Sequence, residues 1–397
     1  MSSVAAEHPA PVTNTLTMGD AQSDEPRYTA EMLYRANNIS PDAVCELQRP
    51  DLNFFEELAK LPVDVLHVPQ GTDVEGMRAW VEETLLNGPL AEQRNNCILE
   101  RRRKAVPVDI RNLSVPCAKD GDGGSFGIRV YEPRIGPEEQ DSKLRPAMLM
   151  VHGGGWIHGK PQCDEVFATF FASELRAVVF GVDYRLAPEH PFPAAFDDCC
   201  QSLDWVVQNA SAYKVDIDRM GLWGCSAGGN LAAAMALWHS QTDSPSHRPQ
   251  LRLVSLVVPA TAAFRAQVLF DNTREIELSP NEKLFRGALL PADKVVEGFD
   301  ILIKLYTGGK TDECNPFVSP LLAKPSKRHA RTHITVAACD DLRAQGLAYA
   351  QLLRSSGVAV TEEVLPGVPH GFTFPLDAVV TRSWLRGEVD RFTAAFE

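Results

Sequence analysis

Short continuous runs of apolar residues alternate with stretches of helical spacing through most of the chain. Uninterrupted runs of Val, Ile and Leu are typical of strands buried on both faces of a parallel sheet that helices cover. Helices fit between the runs at 193–209, 227–238 and 343–355. The pattern therefore predicts one α/β domain over residues 105–397, with a mostly parallel central sheet flanked by helices. Its predicted strands are Val108–Val115, Phe126–Tyr131, Ala147–Val151, Ala177–Val182, Met220–Trp223, Leu253–Val258, Ile334–Ala338 and Thr361–Leu365.

Three segments do not follow this alternation of predicted strands and helices. Residues 1–27 are rich in Ser, Thr, Pro, Ala and acidic residues, which predicts a disordered tail. Across 28–104 the apolar residues recur at helical spacing, as Val81 and Leu85 do, which predicts an N-terminal helical segment. Residues at about 260–310 form a long insertion between two strands. Such an insertion is typical of a lid, so we expect a helical cap to which the N-terminal helices also contribute.

The composition narrows the possible partners. The chain carries a formal net charge of −13, which argues against a nucleic-acid partner because phosphates need a basic surface. Its nine cysteines show neither C-x-x-C pairs nor histidines at ligand spacing, so we expect no metal site. The N-terminus lacks the apolar core of a secretion signal, and no apolar run reaches the roughly 18 residues of a membrane span. We therefore expect a cytoplasmic protein without stable membrane insertion.

The strongest chemical motif is Gly224-Cys225-Ser226-Ala227-Gly228, which lies between a predicted strand and a predicted helix. This is the setting of the G-x-S-x-G elbow, where a tight turn projects a nucleophilic serine from the sheet. Isolated copies of the motif also occur as ordinary glycine-rich turns with a surface serine. The strand before it and the helix after it favour Ser226 as a nucleophile.

A second glycine-rich stretch, His152-Gly153-Gly154-Gly155, directly follows the strand that ends at Val151. A phosphate-binding loop would need G-x-G-x-x-G or a G-K-[ST] ending, and neither is present. The stretch instead matches the oxyanion loop of esterases and lipases. We expect the amides of Gly154, Gly155 and Ala227 to form an oxyanion hole, with His152 anchoring the loop by a hydrogen bond.

The remaining members of a triad should follow the serine in the order acid, then histidine. His370 lies in a turn-like segment beyond the last predicted strand, where it could reach the nucleophile as a general base. Asp340 and Asp341 both follow the strand Ile334–Ala338. One of them should orient the imidazole and the other could cap the following helix, and spacing alone does not decide between them.

These motifs together resemble the hormone-sensitive lipase-like, or family IV, esterases of the α/β-hydrolase superfamily. The resemblance covers about 145–374 and includes the stretch DYRLAPEHPFPAA at 183–195. It implies that Asp340 is the catalytic acid, because the family pattern Asp-Pro-Leu aligns with Asp340-Asp341-Leu342. Two departures from the family are Cys225, where Asp, Glu or Thr is usual, and Asp341, where proline is usual.

The residues and the resemblance predict a serine carboxylic-ester hydrolase that needs no cofactor. Its expected partner is a small-molecule ester with a small or medium acyl group, and an ester of specialised metabolism is one hypothesis. The family also implies the helical cap and a homodimer. Two alternatives on the same fold are a non-catalytic small-molecule receptor and an acyltransferase or lactonising enzyme with the same triad. The presence of Ser226, His370 and an acid favours an enzyme over a receptor.

Overall fold

The computed structural model describes residues 47, 49–61, 73–88, 90–94, 106–118, 124–134, 136, 144–241, 249–263, 292–311 and 313–397, with the backbone alone at 292–297. The predicted tail at 1–27 lies outside these residues. So do residues 264–291 of the predicted insertion, and most of the predicted N-terminal segment at 28–104. The division of the chain into tail, cap segment and catalytic domain therefore stays a prediction.

One β-sheet of eight strands organises the described part of the chain. Its strands are β1 (Val108–Pro116), β2 (Ser125–Pro133), β3 (Arg145–Val151), β4 (Val178–Asp183), β5 (Val215–Cys225), β6 (Leu251–Val257), β7 (Thr332–Ala337) and β8 (Val360–Leu365). They lie in the order β1-β2-β4-β3-β5-β6-β7-β8. The pairs β1–β2 and β2–β4 are antiparallel, and every other neighbouring pair is parallel. The prediction of a mostly parallel sheet is confirmed.

Helices cover both faces of the sheet, which explains why a central strand such as β4 is apolar without alternation. The helices are α1 (Leu52–Leu58), α2 (Val74–Val81, continued by a π-helical turn at Glu82–Leu86), α3 (Glu165–Leu175), α4 (Ala194–Gln208), α5 (Ala227–Gln241), α6 (Ala292–Thr307), α7 (Arg343–Ser355) and α8 (Val379–Phe396). Single 3₁₀ turns lie at Pro161–Asp164 and Pro320–Leu322. None of the helices in the described ranges combines the length and apolarity needed to cross a bilayer.

The hydrophobic core has two layers separated by the sheet. Successive strand residues point to opposite faces, so Leu149 packs in the layer that includes α4, α5 and α7, whereas Met150 packs in the layer that includes α1, α3 and α8. Leu149 is fully buried and Met150 is 3% exposed. Because parallel strands end at the same sheet edge, the loops after β3, β5, β7 and β8 gather at one edge. The predicted functional residues lie on these loops.

Candidate active site

Ser226 occupies the one-residue turn between β5 and α5. Its φ of 57° lies in the left-handed region, which is strained for a residue with a side chain. The turn is held on both sides: the Ser226 amide donates to the Val257 carbonyl at 2.9 Å, and the Ser226 carbonyl accepts from the Asn230 amide at 3.0 Å. These bonds fix the strained backbone and leave the hydroxyl at the sheet edge.

The motif glycines allow the strand and the helix to approach closely. A Cβ on Gly224 would lie 2.3 Å from the Gly228 carbonyl oxygen. One on Gly228 would lie 2.1 Å from the Val151 carbonyl oxygen at the end of β3. Both distances are well below any real Cβ contact, so a larger residue at either position would push the elbow away from the sheet.

Helix α5 is also tied to the chain on both sides of the predicted insertion. The buried Asn230 carboxamide donates to the Ala260 carbonyl at 2.7 Å and to the Val318 carbonyl at 2.9 Å. Close by, the Leu321 amide donates to the Thr261 carbonyl at 2.9 Å. The chain therefore leaves the sheet after β6 and returns before β7 at nearly the same place beside α5.

His370 lies against the serine. Its Nε2 atom is 2.8 Å from the Ser226 Oγ, although the two residues are 144 positions apart. The loop that carries it is anchored by Phe372, which is fully buried and packs edge-on against Trp384 at 5.0 Å between ring centroids. The Thr381 hydroxyl also donates to the Phe372 carbonyl at 2.7 Å. The anchor beside His370 limits where the imidazole can move.

Asp340, not Asp341, contacts the far side of that imidazole. Its Oδ2 atom is 2.8 Å from His370 Nδ1, and its Oδ1 atom accepts from the Leu342 amide at 2.9 Å. The same carboxylate thus both caps the turn that leads into α7 and contacts the histidine. Both histidine contacts are satisfied when Nδ1 carries the proton and the Ser226 hydroxyl donates to Nε2.

The acid and histidine loops are also joined through their backbones. The Ala338 amide donates to the Leu365 carbonyl at 2.8 Å, and the Cys339 amide donates to the Val368 carbonyl at 3.0 Å. These bonds extend the β7–β8 pairing to the two loops. The separation between the carboxylate and the imidazole is therefore set by the sheet.

The electrostatics favour a positive charge on His370. Desolvation by the surrounding protein lowers the pKa of this imidazole, although 42% of its side chain stays exposed. The charge and hydrogen bond of Asp340, together with the charge of Asp341, outweigh that effect, so the net pKa lies above the ordinary 6.5. Burial, reinforced by the neighbouring Asp340, raises the pKa of Asp341 to about 6.

Cys225, the residue beside Ser226, is not activated as a nucleophile. Burial raises the pKa of its thiol well above the ordinary value, and the carboxylates of Asp164 and Asp340 add to the effect. The group therefore remains a neutral thiol at neutral pH, and the thiolate is the reactive form of cysteine.

The glycine loop after β3 turns its backbone toward the elbow. Gly154 and Gly155 have φ values of 119° and 57°, and a Cβ on Gly154 would lie 2.1 Å from the His158 carbonyl oxygen. A Cβ on Gly153 would lie 3.4 Å from the Ser226 Cβ, which places the loop directly beside the serine. Among the described residues, the amides of Gly154 and Gly155 donate to no protein acceptor. The Ala227 amide lies in the first turn of α5, where helical amides have no intrahelical partner.

His152 supports this loop and is not placed as a base. Its Nδ1 donates to the Gly153 carbonyl at 2.7 Å, and its ring stacks on Tyr184 at 4.2 Å between centroids. The Tyr184 hydroxyl donates to the His152 carbonyl at 3.1 Å. Burial lowers the pKa of His152 to about 4 against the opposing effect of its bond to Gly153, so the ring is neutral. Tyr184 belongs to the DYRLAPEHPFPAA stretch, whose role next to the site is thus structural support.

The predicted insertion contributes a residue that the sequence motifs do not reveal. Leu302 on α6 lies over Gly155, with its Cδ1 atom 2.9 Å from where a Cβ on that glycine would be. The helix is docked by Tyr306, which stacks on Trp156 at 4.6 Å between centroids. The signal in the sequence is the spacing of Phe299, Leu302 and Tyr306, which marks one apolar face of a helix but not what it covers.

A strained serine at a strand–helix elbow, a histidine and an aspartate on later loops and a glycine loop beside them define an α/β hydrolase. Comparison with known proteins agrees: residues 148–374 match the family model described as the alpha/beta hydrolase fold. The chain belongs to this family.

Its relatives include named esterases. The chain is 34% identical to an AB hydrolase superfamily protein of Schizosaccharomyces pombe, over 72% of this chain and 80% of that protein. It is 31% identical to an ethyl acetate hydrolase of Pseudomonas putida, over 63% of this chain and 72% of that protein. A solved hyperthermophilic esterase of Pyrobaculum calidifontis is 27% identical, with a TM-score of 0.64 over 82% of this chain and 95% of that one. The predicted class, a carboxylesterase-type hydrolase similar to hormone-sensitive lipase-like esterases, is confirmed.

Proposed function

We propose that the protein hydrolyses carboxylic esters through an acyl-enzyme on Ser226, with His370 as general base and Asp340 as the orienting acid. The observation that carries this proposal is the continuous contact from Ser226 Oγ to His370 Nε2 and from His370 Nδ1 to Asp340 Oδ2, each at 2.8 Å. Nucleophilic acyl transfer needs a base within hydrogen-bond reach of the nucleophile and a third group that holds the base in place.

The reaction proceeds in two halves. In the first, the Ser226 hydroxyl bonds to the ester carbonyl carbon as its proton passes to His370 Nε2, and negative charge develops on the carbonyl oxygen. The amides of Gly154, Gly155 and Ala227 hold that oxygen. The tetrahedral intermediate then breaks its bond to the alcohol oxygen, which takes the proton from His370. In the second half, water replaces the alcohol, and the same steps release the acid and restore the serine.

The electrostatics support these roles. Asp340 stabilises the imidazolium that forms during each half-reaction. The same stabilisation of the charged form raises the pKa of His370. The strained Ser226 and the free glycine amides are already arranged for the tetrahedral intermediate, so little reorganisation is needed in the transition state. The proposed chemistry uses no metal or organic cofactor.

The proposed substrate is an ester with a small or medium acyl group. The side chain of Leu302 at Gly155 limits the room beside the reacting carbonyl. The ester activities named for the relatives are consistent with such a substrate. An origin of the substrate in specialised metabolism, cytoplasmic localisation and a homodimer stay predictions.

Replacement of the serine tests the proposal. We expect Ser226→Ala to abolish hydrolysis of a p-nitrophenyl ester series while the circular dichroism spectrum stays that of the wild type. A fluorophosphonate probe should label the wild type and not the variant. Wild-type turnover by Ser226→Ala would refute the assignment.

The same assay separates the alternatives. A receptor on this fold would neither turn over esters nor react with the probe. An acyltransferase would be labelled, but with a competing alcohol present it would form a new ester faster than the free acid.

A further inference from the structure

Arg78 on α2 makes four hydrogen bonds to two segments beside the glycine loop. Its Nε donates to the Ile157 carbonyl at 2.8 Å, and its Nη2 donates to the Ala187 carbonyl at 2.9 Å. The same guanidinium binds the Glu189 carboxylate in a bidentate manner: Nη1 donates to Oε1 at 2.8 Å and Nη2 donates to Oε2 at 2.7 Å. Its hydrogen bond to Glu189 lowers the pKa of that carboxyl to about 2, so the pair stays charged at neutral pH.

The two segments that Arg78 joins are the ones that shape the glycine loop. The amides of Ile157 and His158 both donate to the Gly154 carbonyl at 3.1 Å, which closes the loop on itself. The Ala187 amide donates to the Trp156 carbonyl at 3.0 Å. Each carbonyl that Arg78 binds therefore belongs to a residue whose own amide holds the loop.

From these contacts we infer that Arg78 is a positioning residue for the oxyanion hole, so that α2 sets the catalytic rate although it lies outside the sheet. The inference rests on the proposed function. Arg78 reaches no reacting atom; it acts by fixing Ile157 and Ala187, and through them the Gly154 and Gly155 amides. A guanidinium suits this task because its planar fork can bind two carbonyls and a carboxylate in one fixed arrangement, which an ammonium group does not reproduce.

A second ion pair of the α2 region provides a control. Lys160 Nζ donates to Glu82 Oε2 at 2.9 Å, and both side chains are 46% exposed. This pair also joins the α2 region to the segment after the glycine loop. It contacts no backbone carbonyl of that loop, so its loss tests attachment of the helix without disturbing the oxyanion hole.

The experiment compares Arg78→Met, Arg78→Lys and Glu82→Gln with the wild type on p-nitrophenyl butyrate. A displacement of about 1 Å at a catalytic group typically lowers the rate by up to about 100-fold. We therefore expect Arg78→Met to lower kcat by 10- to 100-fold, with KM changed less than about threefold. Arg78→Lys should lie between Arg78→Met and the wild type, and Glu82→Gln should match the wild type within about twofold.

An inhibitor reports on the oxyanion hole itself. A trifluoromethyl ketone forms a hemiketal on the serine and places an oxyanion in the hole, so its affinity should fall in Arg78→Met by the same factor as kcat/KM. A variant that had only lost general stability would bind it as the wild type does once folded. If Arg78→Met does not fold, Arg78→Lys is judged by the same two measurements.

The outcomes are separable. Unchanged kcat and unchanged inhibitor affinity in the folded Arg78 variants, or equal losses in Glu82→Gln, would overturn the inference while leaving the hydrolase intact. If the wild type itself hydrolyses no ester and resists the fluorophosphonate probe, it is the proposed function that fails.

Discussion

The loops that carry Ser226, His370 and Asp340 and the loop that carries Gly154 and Gly155 meet at one site, but they are held in different ways. Backbone hydrogen bonds that continue the sheet hold the first group, such as those from Ser226 to Val257 and from Cys339 to Val368. Side chains of outer helices hold the glycine loop: the Arg78 guanidinium from α2 and the Leu302 side chain from α6.

The positions of the two groups of loops therefore depend on different parts of the chain. Once the sheet has formed, the serine, histidine and aspartate have few other positions available. The glycine loop is in addition contacted by side chains from α2 and α6. We therefore expect substitutions in the outer helices to alter turnover and specificity, and substitutions in the sheet to alter stability.

The largest effect should come from the sheet-borne group. Asp340→Asn would place an amide where His370 Nδ1 needs a charged acceptor, and we expect kcat to fall by roughly 10⁴-fold because the tautomer and the imidazolium both lose support. Asp341→Asn is the matched control and should change kcat by less than about tenfold. Steady-state kinetics on one p-nitrophenyl ester measures both, and equal losses would show that the two carboxylates share the role.

The next effect tests the glycine loop. Gly155→Ala introduces a Cβ at a φ of 57°, which strains the loop backbone, and only 2.9 Å from Leu302 Cδ1, so either the Leu302 side chain or the loop must move. Loss of one oxyanion donor typically lowers kcat by about 10²- to 10³-fold, and we expect a loss of that size.

Two further variants isolate the cause of that loss. Gly309→Ala imposes the same strain at a φ of 63°, but nothing lies within 4 Å of its Cβ, so it should keep wild-type activity. Adding Leu302→Ala to Gly155→Ala should restore part of the activity. No recovery in the double variant would mean that backbone strain, not contact with α6, sets the effect.

A third prediction concerns the sheet. Burial lowers the pKa of His333, on β7, to about 3 in the folded state, below the ordinary 6.5 of an unfolded chain. The unfolded state therefore binds more protons below pH 6.5, and stability is lost as the pH falls. Between pH 7 and pH 5 this residue should lower the free energy of unfolding by roughly 2 kcal/mol.

Urea unfolding of His333→Gln at both pH values measures this contribution. The variant should show a shallower dependence on pH than the wild type. An unchanged slope in His333→Gln would assign the dependence to other groups.

The smallest effect concerns specificity. Leu302→Ala should enlarge the space over Gly155 and shift the ratio of kcat/KM toward bulkier esters by about tenfold, the lower end of the effect that even one methylene group has in an apolar pocket. Ile301→Ala is the control, because that neighbouring side chain is 51% exposed. Identical substrate profiles in the two variants would remove Leu302 from the substrate-facing wall.

The strands and the chemical motifs could be predicted because their signals are local. Continuous apolar runs identify strands covered on both faces, and G-x-S-x-G is interpretable from the strand and helix around it. Asp340 could be preferred over Asp341 only through the family resemblance, because the spacing allows either. The contact between Asp340 Oδ2 and His370 depends on how the loops after β7 and β8 meet.

Other elements escaped prediction for physical reasons. Helix α3 is apolar on nearly every side because it lies against both the sheet and α8, so it lacks the periodicity that marks an amphipathic helix. In α8 the buried face includes Glu388, and this acidic residue interrupts the apolar pattern that would otherwise predict a buried face. Arg78 and Glu189 are 111 positions apart, and no local pattern pairs two charges at such a distance.

The Asn230 carboxamide has a consequence for how this enzyme can diversify. By binding Ala260 and Val318 together, it joins the two points where the chain departs toward α6 and returns. Doubling the length of a segment whose ends are already joined adds only about 0.6 kcal/mol of closure entropy. The stretch between those points can therefore change in length at little entropic cost without moving Ser226, whereas a replacement that removed α6 would also remove Leu302 from its place over Gly155.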